Sequence, residues 1–219
     1  MKPLNNMQKF RFIHIPKNAG TSFKSLIDHT PQLRDFIEYV GHDAPLECFE
    51  KNQKTIIVFR DPVERFCSAF HYRLSLLPKC QQWANEKGID SPEKYVQYLK
   101  QTMELRNPIK SLRSDRQSVA GHPVAPTVWV FQPQSLWFRL PTCVLLQDNL
   151  EAEWKYFCQE ARVPFYDLPK KNISQNSLDA SGFGLGAESM SFLRHLYSGD
   201  YALWELLKNT PLESRIEMN

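Results

Sequence analysis

The sequence predicts an α/β domain in which a central parallel β-sheet is flanked by helices in three layers. Short apolar runs alternate along the chain with segments of helical periodicity, which is typical of strands joined by crossover helices. Two of these runs, Thr55–Phe59 (TIIVF) and Thr142–Leu146 (TCVLL), are almost continuously apolar, as expected of strands buried on both faces. The 219 residues, 42% hydrophobic and 23% charged, are sufficient for one domain, predicted over residues 1–219.

The first strand is predicted at Phe10–Ile15, where the run FRFIHI is mostly apolar. The loop PKNAGTS follows, and apolar residues at helical spacing then predict a helix that reaches His29, with Thr21 or Ser22 as its N-cap. The segment Phe36–Val40 (FIEYV) predicts the next strand.

Further helices are predicted from apolar stripes at helical spacing. One begins near Pro62, because a proline does no harm in the first turn, where its missing N–H has no partner. Others are predicted at Pro92–Met103, Leu150–Ala161, Ala187–Tyr197 and Tyr201–Lys208. The stretch Arg106–Pro141 contains five prolines and predicts long irregular connections.

The charge balance and the ends of the chain narrow the class of protein. A net charge of only +3 argues against a dedicated nucleic-acid binder. No apolar run approaches the roughly 18 to 20 residues that cross a bilayer, and Met1–Lys9 is polar. A soluble, cytoplasmic protein is therefore expected.

The cysteines predict neither a disulfide framework nor a zinc site. They are odd in number, and no pair has CxxC spacing. Most lie in apolar patterns and are interpreted as small core residues. The five are Cys48, Cys67, Cys80, Cys143 and Cys158.

The loop PKNAGTS has the features of an anion site. The first N–H groups of the helix after it lack internal partners, and the helix dipole adds partial positive charge there. Lys17 adds a full charge, Ala19 and Gly20 let the backbone approach a ligand, and Thr21 and Ser22 add hydroxyls. The alternative is an ordinary strand-to-helix turn with a surface lysine.

A second basic element follows the buried strand Thr55–Phe59. Arg60 stands where that strand ends, which is where open α/β sheets bind ligands, and Ser68 lies two turns into the next helix. Together they predict a second phosphate site. Asp61 is interpreted as a partner of a nearby arginine or as a helix cap, rather than as a magnesium ligand. Two such anion sites predict a nucleotide with phosphates at two positions on a P-loop-like sheet.

Both elements resemble motifs of sulfotransferases that use 3′-phosphoadenosine 5′-phosphosulfate (PAPS). The nearest branch is the carbohydrate sulfotransferases of the Golgi and their bacterial relatives, with PKTAGTS-type and RDPxxRxxSxY elements. Asn18 and Phe70 stand where that family often has Thr and Tyr. Further segments are similar in the same order, namely Gln132–Phe138, Gln147–Leu150, Leu168–Ser174 and Leu196–Trp204.

The resemblance implies a P-loop-like fold, PAPS as donor, its desulfated form PAP as product, and no metal. It implies that Lys17 contacts the 5′-phosphosulfate and that the rest of the loop wraps it. Arg60 and Ser68 would bind the 3′-phosphate. The implied nucleotide-binding residues are Lys17, Asn18, Ala19, Gly20, Thr21, Ser22, Arg60, Ser68, Asn172 and Ser174.

The favoured general base is His42, because such enzymes often have a Gly-His segment between their nucleotide motifs. Asp43 is an alternative base, and a surface or capping role for His42 is equally open. His14 is interpreted as a packing residue at the strand end, and His122 as a candidate lining the acceptor site.

The acceptor is expected to be a hydroxyl compound, and the resemblance implies a carbohydrate. The arginines and tryptophans of Arg106–Pro141, the candidate wall of the acceptor site, suit a sugar or an anionic glycan, but also a phenol or a lipid head group. The short chain leaves no room for a membrane anchor and stem, so a bacterial cytoplasmic enzyme is expected, or a trimmed Golgi-lumen enzyme. Two alternatives remain: a P-loop kinase that uses ATP and magnesium, and a catalytically inactive nucleotide-binding relative. The Walker A motif places its Lys after the second Gly, whereas Lys17 precedes Gly20, which argues against the kinase. The oligomeric state stays open.

Overall fold

The computed structural model describes residues 9–41, 53–104, 133–137, 142–169 and 183–216. These residues group into two compact units. The sheet unit comprises the described residues 9–41, 53–60, 137, 142–169 and 203–216. The helical unit comprises residues 61–104, 133–136 and 183–202. A single domain over residues 1–219 stays a prediction.

The described residues form four strands and eight α-helices. The strands are β1 (Phe10–Ile13), β2 (Ile37–Val40), β3 (Thr55–Phe59) and β4 (Thr142–Leu146). The helices are α1 (Gly20–His29), α2 (Pro62–Leu76), α3 (Pro78–Glu86), α4 (Pro92–Glu104), α5 (Leu150–Glu160), α6 (Ala187–Leu196), α7 (Ser198–Asn209) and α8 (Leu212–Ile216). Short 3-10 helices lie at Pro31–Asp35, Gln134–Trp137 and Gln147–Asn149.

The four strands form one parallel sheet in the order β2-β1-β3-β4. Strand β1 pairs with β2 on one side, with Phe10 opposite Ile37, and with β3 on the other, with Phe12 opposite Ile56. All four predicted strands are present, and the predicted parallel α/β sheet is confirmed.

The sheet is covered on both faces, because alternate side chains of β3 and β4 enter two different clusters. Ile56 and Val58 pack with Phe23 of α1 and with Trp154 of α5. The alternate residues of the same strands pack with Trp204 and Leu207 of α7; they are Ile57, Phe59, Val144 and Leu146. Burial on both faces explains why these two strands are apolar at nearly every position.

The helical unit has its own core around α2. Phe66 and Phe70 on this helix stack on Tyr95 of α4, with ring centroids 5.7 and 5.5 Å apart. Asp61 caps the helix, because its Oδ1 accepts hydrogen bonds from the N–H groups of Val63 (2.8 Å) and Glu64 (3.0 Å). The capping interpretation of Asp61 is therefore the one the structure shows.

Several local predictions need correction. Helix α1 begins at Gly20 with Ala19 as its N-cap and no side-chain cap, so the predicted capping by Thr21 or Ser22 is wrong. Helix α3 was not predicted, because its sequence PKCQQWANE has few apolar residues at helical spacing. The stretch Arg106–Pro141 lies outside the described residues, except for 133–137.

The cysteines of the described residues are free and buried, which confirms their interpretation as core residues. Burial raises the pKa of the Cys143 thiol to about 11 and that of Cys158 to about 12. Both thiols are therefore protonated near neutral pH, the form that suits an apolar environment. Cys48 lies outside the described residues.

No helix among the described residues combines the length and the apolar character needed to span a bilayer. The longest, α2, has 15 residues and carries both acidic and basic side chains.

Candidate anion site at the ends of strands β1 and β3

The two cationic members of the predicted nucleotide-binding set lie at the ends of adjacent strands. Lys17 is in the turn that follows β1, and Arg60 comes directly after β3. Strands β1 and β3 are parallel neighbours, so their carboxyl ends share one edge of the sheet. The chain goes from β1 to β2 on one side and later to β3 on the other, which makes this the switch point where such sheets bind ligands.

The charges of the two residues affect each other. The pKa of Lys17 is lowered from 10.5 to about 8, first by burial of its ammonium group and second by repulsion from the Arg60 guanidinium. Both causes disfavour the protonated amine, because a buried charge loses solvation and a like charge nearby repels it. An anion at this position would oppose both effects, because an opposite charge nearby favours the protonated amine.

The residues 16–19, which we call the anion loop, have an unusual backbone. Lys17 (φ 69°) and Ala19 (φ 56°) both adopt the left-handed conformation although neither is glycine. This conformation costs roughly 1 to 2 kcal/mol for a residue with a Cβ, so the surrounding structure must hold the loop in place.

Asn18, between these two residues, fastens the loop to the neighbouring strand. Its side-chain Nδ2 donates a hydrogen bond of 2.7 Å to the backbone oxygen of Val58 in β3, and the residue is 1% exposed. The sequence presented Asn18 as a substitution for the family's Thr and as one of the implied nucleotide-binding residues. Its structural role depends on the pairing of β1 with β3, which no local motif reveals.

Gly20 is required for a reason that the sequence did not indicate. A Cβ at this position would overlap the imidazole ring of His14. The His14 Nδ1 is in turn 2.5 Å from the hydroxyl oxygen of Tyr39 on β2. His14 was interpreted as a packing residue, and the structure shows it packed against the start of α1 and hydrogen-bonded as well.

The remaining predicted residues are distributed as follows. Ser22 is buried and its N–H donates to the Ala19 oxygen (2.9 Å), whereas Thr21 is exposed. Ser68 is half-buried on α2 and belongs to the helical unit. The predicted residues outside the described part of the chain are His42, Asp43, His122, Asn172 and Ser174.

Among the described residues, no group of three or more His, Cys, Asp or Glu side chains is placed to bind a metal ion. Lys17 and Arg60 carry positive charge, which attracts anions and repels metal ions. Chemistry without a metal stays a prediction from the resemblance.

A comparison of this chain with protein-family models, with curated proteins and with solved structures finds no match to any of them. The similarity to sulfotransferases therefore depends on the motifs quoted above. The geometry of the strand ends adds an independent argument for an anionic ligand.

Proposed function

We propose that this protein is a PAPS-dependent sulfotransferase that transfers a sulfuryl group to the hydroxyl of an acceptor, with a carbohydrate as the favoured class. The observation that carries the proposal is the meeting of Lys17 and Arg60 at the ends of adjacent parallel strands. The motifs around these two residues supply the identity of the nucleotide.

The residues at the strand ends suit a group with more than one negative charge. Lys17 and Arg60 are close enough for their charges to interact, and both are partly buried. A nucleotide with its 5′-phosphosulfate at Lys17 and its 3′-phosphate at Arg60 would place negative charge beside each cation, and the first turn of α1 adds partial positive charge beside Lys17. A metal ion would be repelled by the same groups.

In the proposed reaction, the S–O bond to the donor phosphate breaks and a new S–O bond forms to the acceptor oxygen. Lys17 stabilises the negative charge that grows on the departing phosphate oxygen. The proton of the acceptor hydroxyl passes to a general base, for which His42 is the first candidate and Asp43 the second. The protein contributes by positioning and by charge stabilisation, as in phosphoryl transfer.

The other roles in this proposal come from the resemblance alone. Ser68 would join Arg60 at the 3′-phosphate, and Asn172 and Ser174 would close over the nucleotide. The acceptor and the compartment, for which the bacterial cytoplasm is the first choice, belong to the same proposal.

A thermal-shift measurement on the full chain tests the nucleotide. PAP is expected to raise the melting temperature, with a stabilisation of about 2.7 kcal/mol at a concentration one hundred times its Kd. Adenosine 5′-monophosphate, which lacks the 3′-phosphate, should stabilise much less. A response to ATP with magnesium and none to PAP would overturn the proposal in favour of the kinase alternative.

An acceptor screen with sulfur-labelled PAPS tests the chemistry. Transfer of label to a sugar hydroxyl is the expected outcome, and transfer to a phenol would correct the acceptor class. Tight PAP binding without transfer to any sugar, phenol or lipid head group would support the inactive relative instead.

A further inference from the structure

His14 connects three parts of the sheet unit. It follows β1 directly, its ring contacts the first residue of α1, and its Nδ1 bonds to the hydroxyl of Tyr39 on β2 (2.5 Å). The backbone N–H of His14 also donates to the oxygen of Val40 (3.0 Å), which continues the pairing of the two strands. Both the backbone and the ring of His14 are therefore fixed to β2.

Tyr39 is itself held in position by aromatic packing. Its ring stacks with Phe12 of β1 at 6.2 Å between centroids, and Phe12 stacks with Phe23 of α1 at 4.1 Å. Phe12 and Phe23 are fully buried, so the hydroxyl of Tyr39 is presented to His14 from a rigid support.

Gly20 shows how closely the imidazole approaches the anion loop. The ring of His14 occupies the volume that a side chain at position 20 would need. The loop between residues 14 and 20 contains the two left-handed residues Lys17 and Ala19. Asn18 holds this strained loop from the β3 side, and His14 is placed to hold it from the β2 side.

We propose that His14 is a positioning residue for the anion loop: its ring, oriented by the Tyr39 hydroxyl and packed against Gly20, sets the place of Lys17. The inference rests on the proposed function only for the identity of the anion. His14 thus does more than pack at the end of β1.

The direct test is His14→Ala in the full chain, with three readouts. Titration of the Lys17 ammonium group by NMR should show its pKa rising from about 8 toward the ordinary value near 10.4, because a relaxed loop exposes Lys17. The Kd for PAP should increase, and kcat with PAPS should fall by up to about a hundredfold, since a displacement on the order of 1 Å can cost that much in rate at an active site.

Tyr39→Phe is the milder variant, and it tests the same role if His14→Ala does not fold. It keeps the ring that packs on Phe12 and removes only the hydroxyl, so the melting temperature should change little while the Lys17 pKa moves in the same direction. Tyr166→Phe is the matched control, because Tyr166 is a partly exposed tyrosine of the same unit outside the candidate site.

A steric test uses position 20. Gly20→Ala should lower the melting temperature strongly, because its methyl group overlaps the His14 ring. Adding His14→Ala should recover most of that loss, while PAP binding stays weak because the loop has lost its support.

The outcomes separate this inference from the proposed function. An unchanged Lys17 pKa in both His14→Ala and Tyr39→Phe would overturn the positioning role, whatever the protein binds. If the Lys17 pKa shifts in these variants but the wild-type protein does not bind PAP, the positioning role stands and the assignment of the nucleotide is wrong.

Discussion

The sheet unit contains two pairs of charged residues, one with opposite charges and one with like charges. Arg215 on α8 and Glu153 on α5 form a buried pair with two hydrogen bonds of 2.7 and 2.9 Å. Lys17 and Arg60, in contrast, bring two like charges together at the ends of β1 and β3. The first pair joins opposite charges, and the second brings two positive charges close enough to repel each other.

The Arg215–Glu153 pair has the contacts of a structural ion pair, whereas Lys17 and Arg60 belong to a candidate binding site. Arg215 also donates to the oxygen of Val144 (3.1 Å), and Glu153 also accepts from the N–H of Leu146 (2.6 Å), so this pair ties α8 and α5 to β4. Stability alone accounts for such an arrangement. Arg60 lowers the pKa of Lys17 by repulsion, and a pKa perturbed in this way at the ends of two strands favours a binding site for an anion.

The largest expected effect comes from breaking the buried pair. Glu153→Gln should lower the free energy of unfolding by about 3 to 5 kcal/mol, because it leaves the Arg215 guanidinium buried without its counter-charge. Urea unfolding measures the change. At a temperature where the variant is folded, its affinity for PAP should match the wild type.

The matched control is Glu151→Gln, on the same helix but exposed to solvent. It should change stability by less than about 0.5 kcal/mol. Equal losses in the two variants would show that Glu153 is not a structural anchor, and the comparison between the two charge groups would fail.

The next effect concerns catalysis. Lys17→Ala should reduce kcat for sulfuryl transfer by about a hundredfold to a thousandfold, because the charge on the departing phosphate loses its main stabilising group. Steady-state assays with PAPS and an accepted sugar measure it. Lys155→Ala, an exposed lysine of α5, is the control and should keep full activity. Wild-type turnover in Lys17→Ala would remove Lys17 from the mechanism.

Most strands and helices could be predicted from the sequence, because the patterns that specify them are local. The run TIIVF predicts β3 and TCVLL predicts β4 with the bounds that the structure shows, since a strand buried on both faces must be apolar almost throughout. The proline of α2 and its cap Asp61 are equally local signals. Helix α3 was not predicted because its sequence is short and mostly polar. Its buried residues Cys80 and Trp83 pack against other helices of the unit, and a local pattern does not show this.

The site was predicted less completely, because its geometry depends on strand pairing. Lys17 and Arg60 stand out as basic residues at strand ends, and the sheet order brings those ends together. The contact of His14 with Tyr39 requires the register in which Ile13 lies opposite Val40, and a sequence pattern does not specify it. The left-handed backbone of Lys17 and Ala19 could not be predicted either, because glycine is the usual sequence signal for this conformation and neither residue is a glycine.

A smaller effect follows from the pKa of Lys17. An anion binds better to the protonated amine, so the affinity for PAP should fall as the pH rises through about 8, by up to about tenfold per pH unit. Calorimetry between pH 6.5 and 9.5 measures the slope and the proton taken up on binding. Lys17→Arg is the control, because arginine stays charged throughout this range. An identical slope in Lys17→Arg would assign the titration to another group.

The lowered pKa of Lys17 also makes the free energy of unfolding depend on pH, in the direction opposite to that of the affinity for PAP. This dependence gives an independent check. Between pH 8 and 10.5 the unfolded chain binds the Lys17 proton and the folded protein does not, so this group makes stability rise with pH in that window. The difference in unfolding free energy between wild type and Lys17→Arg should therefore move in favour of wild type as the pH increases.

The smallest expected effect tests the repulsion itself. Arg60→Gln removes the like charge near Lys17, so the pKa of Lys17 should rise, but it should stay below 10.5 because burial is the larger cause of the shift. NMR titration of the Lys17 amine measures it. PAP binding should weaken even though more Lys17 is protonated, since the loss of a cation from the site outweighs the gain. If Arg60→Gln leaves the Lys17 pKa unchanged, the two cations do not repel each other, and the contrast with the Arg215–Glu153 pair loses its basis.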